Sequence, residues 1–188
     1  MKKIGIFFGT DSGTTRLMAK KLAKKLGDDI AAKPLNINRA SVDDLLQHDV
    51  LILGTPTYGE GQWPSTATGV KDGSWEEFAP KLAGVDLTGK TVALYGLGNQ
   101  EKYADRFASG LFMLYQLFVN AGATVVGDWS TEGYEFTHSN AVVDGRFVGL
   151  VLDHNSQGML TEARLDAWVD AIRPKLMLAL ATEAPEPA

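Results

Sequence analysis

Cysteine is absent from the 188-residue chain, which excludes disulfides, iron–sulfur clusters held by thiolates and catalysis by a thiol. Histidine is scarce, and His48, His138 and His154 are too widely spaced to predict a histidine-based metal site. No run of about 18 apolar residues is present to span a membrane. The N-terminus "MKKIGIFFG" lacks the small-residue cleavage site of a signal peptide. These absences fit a reducing compartment, and we predict a cytoplasmic location.

The net charge of −5 is unevenly distributed along the chain. Residues 1–40 hold nine Lys and Arg against three Asp and Glu, so the remainder is strongly acidic. The acidic remainder, without interleaved basic and aromatic residues, argues against nucleic-acid binding. The basic first segment has two interpretations: a solvated helix face, or one pole of a dipole that docks a charged partner.

Short apolar runs alternate with segments of helical period, which predicts an α/β fold with a parallel sheet. The predicted strands are 3–8, 31–37, 49–54, 91–96 and 123–128. Helical patterns cover 15–26, 41–46, 74–84, 107–118 and 165–176. Ser74 and Glu77 have the spacing of a capping box, and Pro174 is expected to kink the last helix.

Residues 129–150 interrupt the fifth strand, and the "DG" at 144–145 predicts a hairpin turn within this excursion. The sequence shows no internal repeats. We therefore predict a single domain over residues 1–181, followed by a disordered tail over 182–188.

Three loops follow the first, third and fourth predicted strands, at 9–15, 54–64 and 96–103. In a doubly wound sheet such loops meet beyond the carboxyl ends of the strands, where ligands bind. The first loop leads into a helix N-terminus, whose free N–H groups favour an anion. It contains hydroxyl residues and glycine but no lysine or arginine, and its spacing does not fit a nucleoside triphosphate loop. "GLGNQE" in the third loop does not fit a dinucleotide fingerprint either.

Tyr58 and Tyr103 lie in the other two loops, where they could sandwich a planar ring. A flat heterocycle that ends in a single phosphate suits the three loops together. Flavin mononucleotide (FMN) has both parts, and we predict it as the cofactor.

The motifs "TDSGTT", "TPTYGEG" and "GLGNQEKYAD" resemble the phosphate loop and the two flavin-flanking loops of flavodoxins. The excursion at 129–150 resembles the insertion of long-chain flavodoxins, and the resemblance covers residues 3–180. "KIGIFFG", "LILGTPT" and "SWEEF" are most similar to proteobacterial flavodoxins associated with nitrogenase. The resemblance implies a flavodoxin-like doubly wound three-layer sandwich. Its five-stranded parallel sheet would have the order 2-1-3-4-5 and an insertion in the fifth strand.

The same resemblance implies a set of cofactor-binding residues. Phosphate contacts are expected from Thr10, Asp11, Ser12, Gly13, Thr14 and Thr15, with Thr57 nearby. Tyr58 and Tyr103 are expected on the inner and outer faces of the ring. Gly98, Asn99 and Gln100 are expected to hydrogen-bond its pyrimidine edge. The sequence departs from many relatives at Asn99, which replaces an aspartate, and at Trp63, which replaces a leucine and is expected to pack in the core or at the rim.

The function implied is that of a low-potential one-electron carrier rather than an enzyme, so no catalytic and no metal-binding residue is predicted. A loop without cations would hold the phosphate without stabilising the anionic hydroquinone. The Gly59–Glu60 peptide is expected to flip, so that the Gly59 carbonyl accepts a hydrogen bond from N5 of the neutral semiquinone. The expected partners are an electron-donating reductase and a low-potential acceptor, nitrogenase reductase (the nitrogenase iron protein), with the carrier itself a monomer.

Three alternatives stay open at this stage. A general flavodoxin would serve other reductive enzymes. An FMN-dependent NAD(P)H:quinone reductase would need a basic cluster for the dinucleotide, and none is evident near the loops in the sequence. A cofactor-free phospho-receiver would need an aspartate after the third strand, where Thr55 and Pro56 follow Gly54.

Overall fold

The computed structural model describes residues 2–59 and 61–182. Eight strands are present in this part of the chain: β1 (Gly5–Phe8), β2 (Leu35–Asn36), β3 (Val50–Thr55), β4 (Thr91–Leu97), β5 (Thr124–Val126), β6 (Val142–Val143), β7 (Arg146–Phe147) and β8 (Leu150–Leu152). The α-helices are α1 (Thr14–Leu26), α2 (Val42–Leu46), α3 (Trp75–Phe78), α4 (Gly110–Asn120), α5 (His154–Gln157) and α6 (Thr161–Ala181). Of the tail predicted to be disordered, residues 183–188 lie outside the described residues.

The main sheet is parallel and has the order β2-β1-β3-β4-β5, which confirms the predicted order 2-1-3-4-5. On the side of β4 away from β3, two separate strands pair with it: β5 lies along residues 91–93, and β8 lies along residues 95–97. They are the two halves of the interrupted fifth strand. The insertion between them, residues 127–149, contains the predicted hairpin, in which β6 and β7 pair antiparallel around Asp144 and Gly145.

Side chains alternate between the two faces of the sheet with a period of two, and helices bury both faces. Phe7, Leu51 and Leu53 face a core shared with α3 and α4. Ile6 and Ile52 face the opposite core, which is shared with α1 and α6. The result is the predicted three-layer arrangement.

Several elements are shorter than predicted, for local reasons. The second strand keeps only two paired residues beyond an isolated bridge at Ala31, since Pro34 has no N–H to donate. β5 ends at Val126 because Gly127, at φ +87°, turns the chain away from the sheet. α3 ends at Phe78 and is followed by a 3-10 turn that contains Pro80. By contrast, α6 continues through Pro174 as far as Ala181. In the described part of the chain, no helix combines the length and apolarity needed to span a bilayer.

Candidate functional site

A cleft of about 220 Å³ opens at the carboxyl ends of β1, β3, β4 and β8. Its lining includes seven of the residues predicted from sequence: Asp11, Ser12, Thr14, Thr57, Gly98, Asn99 and Tyr103. The three predicted loops therefore converge on one site, as the topology of a doubly wound sheet requires.

The loop before α1 lines this cleft through Asp11 and Ser12, and Thr14 at the start of the helix lines it too. Gly13 adopts φ +94°, and a Cβ built on it would meet nothing within 4 Å. Thr10 shapes the turn from within, since its Oγ1 accepts a hydrogen bond from the Gly13 N–H at 2.9 Å. Thr15 is 1% exposed and lies behind the lining, where its carbonyl accepts a bond from the Tyr95 hydroxyl.

The first turn of α1 has neither a side-chain cap nor an acidic residue. Two other helices satisfy a first amide with a side chain, since Ser41 caps α2 and Asp153 caps α5, whereas α4 and α6 resemble α1 in lacking a side-chain cap. The orphan N–H groups at the start of α1 are thus available to an anion in the cleft, and the helix dipole favours a negative charge there.

Tyr103 and Tyr58 occupy different positions relative to the cleft. Tyr103 lines it, and the Nζ of Lys102 lies 5.4 Å from the centroid of the Tyr103 ring. Tyr58 is 38% exposed and stands outside the lining, on a tight turn in which it pairs with Gln62. Gly59 follows at φ +45°, while Glu60, the other half of the predicted flipping peptide, lies outside the described residues.

Gln100 is 5% exposed and does not line the cleft. Its backbone N–H donates to Oδ2 of Asp153 at 2.9 Å, and its side-chain Oε1 accepts from the Glu135 N–H at 2.6 Å. Neighbouring Asn99 does line the cleft, and its Oδ1 accepts bonds from the Ser156 hydroxyl and the Lys102 N–H.

Trp63 is 5% exposed, in line with the packing expected of it. Its indole N–H donates to the Gly110 carbonyl at 3.0 Å, and the Gly110 N–H donates to Oγ1 of Thr57, also at 3.0 Å. A Cβ on Gly110 would come within 2.8 Å of the Pro56 carbonyl oxygen. The first residue of α4 is therefore clamped against the 54–64 loop, and the clamp fixes Thr57 in the lining.

Seven further lining residues were not predicted from sequence: Pro56, Leu97, Lys102, Arg106, Ala108, His154 and Asn155. His154 and Asn155 begin α5 directly after β8, so the end of the divided fifth strand contributes a fourth segment to the lining. The apolar run "LVLD" before them could have predicted their place in the lining, since the carboxyl ends of all the parallel strands lie at this edge of the sheet.

Lys102 and Arg106 place two cations in the cleft wall, although the loop before α1 has none. The sequence interpretation, that no basic cluster for a nicotinamide dinucleotide lies near the loops, did not anticipate this pair, which comes from the segment after β4. Arg106 also contacts Asp105 at 3.2 Å, and this hydrogen bond holds the pKa of the Asp105 carboxyl below its usual range. Among residues 2–59 and 61–182, no cluster of three or more acidic or histidine side chains has the arrangement of a metal site.

Comparison of the chain's sequence and fold with known proteins identifies a single family. A family model described as Flavodoxin matches residues 6–168. A flavodoxin of Klebsiella pneumoniae is 50% identical over 173 residues, covering 92% of this chain and 98% of its own. A second flavodoxin of the same organism is 41% identical over 181 residues, covering 95% and 97%. The crystal structure of Fusobacterium nucleatum flavodoxin bound to flavin mononucleotide superposes with a TM-score of 0.83 at 35% identity, covering 94% and 99%.

Proposed function

Because the chain belongs to the flavodoxin family, it is an FMN-dependent electron carrier rather than an enzyme, and we propose that it delivers single electrons to nitrogenase reductase. When bound, FMN supplies the one-electron redox chemistry. The protein's own residues bind it, orient it and set the charge around it.

The lining residues fit a flavin that ends in one phosphate. At one end of the cleft, the uncapped amides of α1 and the hydroxyls of Ser12 and Thr14 form a donor set suited to a phosphate. This donor set, which opens onto a cleft with an aromatic side chain in its wall, is the observation that carries the proposed cofactor site. Thr10, Gly13 and Thr15 would act through the backbone of the same turn, and Asp11 and Thr57 would border it.

The opposite wall fits the planar ring. Tyr103 offers an aromatic face to the cleft. Gly98 lets the loop backbone pack closely against the 107–108 segment, since a Cβ there would come within 2.9 Å of the Ala108 nitrogen. Tyr58, on its exposed turn, would cover the second face after a small movement. The Gly59–Glu60 peptide would then lie beside the ring. These residue roles are proposals, and aromatic stacking of this kind contributes about 0.5–1.5 kcal/mol beyond burial.

The carrier role is tested by loading the protein with FMN and mixing it with NADPH in a stopped-flow instrument. A carrier should show no fast direct reduction by NADPH, yet should accept electrons from a flavodoxin reductase. Fast hydride transfer from NADPH to the isolated protein would instead favour the quinone reductase alternative.

The choice of nitrogenase reductase as acceptor is supported by sequence. The motifs "KIGIFFG", "LILGTPT" and "SWEEF" resemble nitrogenase-associated flavodoxins. The test is to mix the photoreduced carrier with purified nitrogenase iron protein and to follow reoxidation of the flavin. Saturable reoxidation supports the proposal, whereas a carrier that stays reduced would point to a general flavodoxin.

We expect the carrier to work as a cytoplasmic monomer, a setting that suits a chain without cysteine. Sedimentation equilibrium of the FMN-loaded protein should return the monomer mass of 20.3 kDa. A concentration-independent dimer would contradict this part of the proposal.

A further inference from the structure

The 127–149 insertion lies along the segment that follows β4. The N–H groups of Thr137 and His138 donate to the Ala104 carbonyl at 2.7 and 3.0 Å, and the Phe107 N–H donates to the His138 carbonyl at 3.1 Å. Further along, the Asn140 N–H donates to the Ser109 hydroxyl oxygen at 3.2 Å. These contacts join the insertion to the stretch of chain that supplies Lys102, Tyr103, Arg106 and Ala108 to the cleft.

Gln100 is the point where the insertion, the cleft loop and the end of β8 meet. The Glu135 N–H of the insertion donates to its side chain, and its own N–H donates to Asp153, which is 1% exposed. Asp153 also caps α5 through the Ser156 N–H at 2.9 Å. Ser156 in turn donates its hydroxyl hydrogen to Asn99, so the loop is tied to α5 at two successive residues.

The backbone N–H and the side-chain oxygen of Gln100 therefore both bond to protein, and this buried residue does not line the cleft. We infer that Gln100 is a positioning residue: through the Glu135 N–H, it makes the insertion hold Asn99 and Tyr103 in the conformation that receives the flavin ring. This inference rests on the proposed FMN site. It replaces the expected direct contact of Gln100 with the pyrimidine edge by an indirect role.

The size of the effect follows from the fraction of molecules in which the loop is competent to bind. The apparent Kd equals the intrinsic Kd divided by that fraction. If loss of the Glu135–Gln100 bond leaves the loop competent in about 10–30% of molecules, the Kd for FMN rises about 3- to 10-fold.

The first test replaces Gln100 by methionine, which has similar length but no carbonyl to accept the bond. Kd values for FMN and for riboflavin, which lacks the phosphate, are measured by quenching of flavin fluorescence. Because the loop faces the ring, Gln100→Met should weaken both ligands by the same factor. The matched control is Ser109→Ala, which removes a different insertion contact without touching Gln100, and its Kd values should stay within about twofold of wild type.

The outcomes separate this inference from the proposed function. If the wild-type protein binds no FMN, the proposed function itself fails. If wild type binds FMN but Gln100→Met binds both flavins normally, or if Ser109→Ala is equally weakened, the positioning role is wrong.

A second measurement uses the wild-type protein and so does not depend on the variant folding. Coupling between two sites is reciprocal, so FMN must stabilise the Glu135–Gln100 bond if that bond favours FMN binding. Hydrogen exchange at the Glu135 amide should therefore slow on addition of FMN by a larger factor than at Phe147. The Phe147 amide serves as the reference because it bonds to Trp129 at the base of the insertion. Equal slowing at both amides would contradict the inference.

Discussion

Gly13 stands directly before α1 at φ +94° and ψ −7°, with open space where a Cβ would point. Replacing it by alanine should therefore cost backbone strain but cause no clash. A left-handed conformation costs an L-residue about 1–2 kcal/mol, and restriction of the unfolded chain by alanine returns about 0.4–1 kcal/mol. The net loss of about 1 kcal/mol should lower the Tm of a domain of this size by about 2–4 °C.

Gly69 provides a matched control, since it has φ +98°, ψ 7° and equally open space but lies outside the cleft lining. Gly69→Ala should lose the same stability. Only Gly13→Ala should weaken FMN binding, because a turn that relaxes its strain moves an amide away from the phosphate. Loss of one hydrogen bond to a charged group, about 1.5–3 kcal/mol, corresponds to roughly 10- to 150-fold in Kd.

The assay compares Kd values for FMN and riboflavin in both variants, with Tm measured alongside. Gly13→Ala should bind riboflavin normally, since riboflavin has no phosphate to lose. Equal FMN affinity in the two glycine variants would show that the turn before α1 does not hold the phosphate, and the proposed orientation of the cofactor would fall.

Two further predictions concern charge. Lys102→Gln should make the second one-electron potential more negative by about 20 mV relative to the exposed control Lys71→Gln. The reason is that a cation in the cleft wall would stabilise the added negative charge of a reduced flavin by on the order of 0.5 kcal/mol. An unchanged potential in a redox titration would exclude Lys102 from tuning. Burial raises the pKa of Glu77, but hydrogen bonds from the Thr66 and Ser74 N–H groups outweigh it and lower the pKa below its usual value. That stabilisation is present above the unfolded pKa of 4.5 and is lost as the pH falls through the folded pKa. In urea unfolding at pH 7, Glu77→Gln should thus lose roughly 1 kcal/mol of unfolding free energy, because partial exposure to solvent weakens the carboxylate's hydrogen bonds. Once the pH is below the folded pKa, the variant should match wild type. A loss that persists in acid would contradict the assignment.

The sheet order and the convergence of three loops were accessible from sequence for a physical reason. Apolar runs such as "DVLILG" and "TVALYG" can be satisfied only as strands covered on both faces, and parallel strands place their following loops at one edge. The hydroxyl-rich turn at 9–15 and the uncapped helix behind it were predictable on the same basis.

The positions of the side chains that were not predicted from sequence depend on long-range packing. Lys102 lies within the predicted loop and Arg106 follows it by three residues, but whether they face the cleft depends on how the insertion packs against that segment. Gln100 was expected at the ring, yet its partners are Glu135 and Asp153, which are 35 and 53 residues away. Local pattern holds no information about such pairings.

An anaerobic redox titration of the FMN-loaded protein tests the carrier role most directly. A one-electron carrier should show two separate one-electron steps, the second at low potential, with a blue neutral flavin radical accumulating between them. Reduction in a single two-electron step with no radical, or a protein that takes up no FMN at all, would contradict that role.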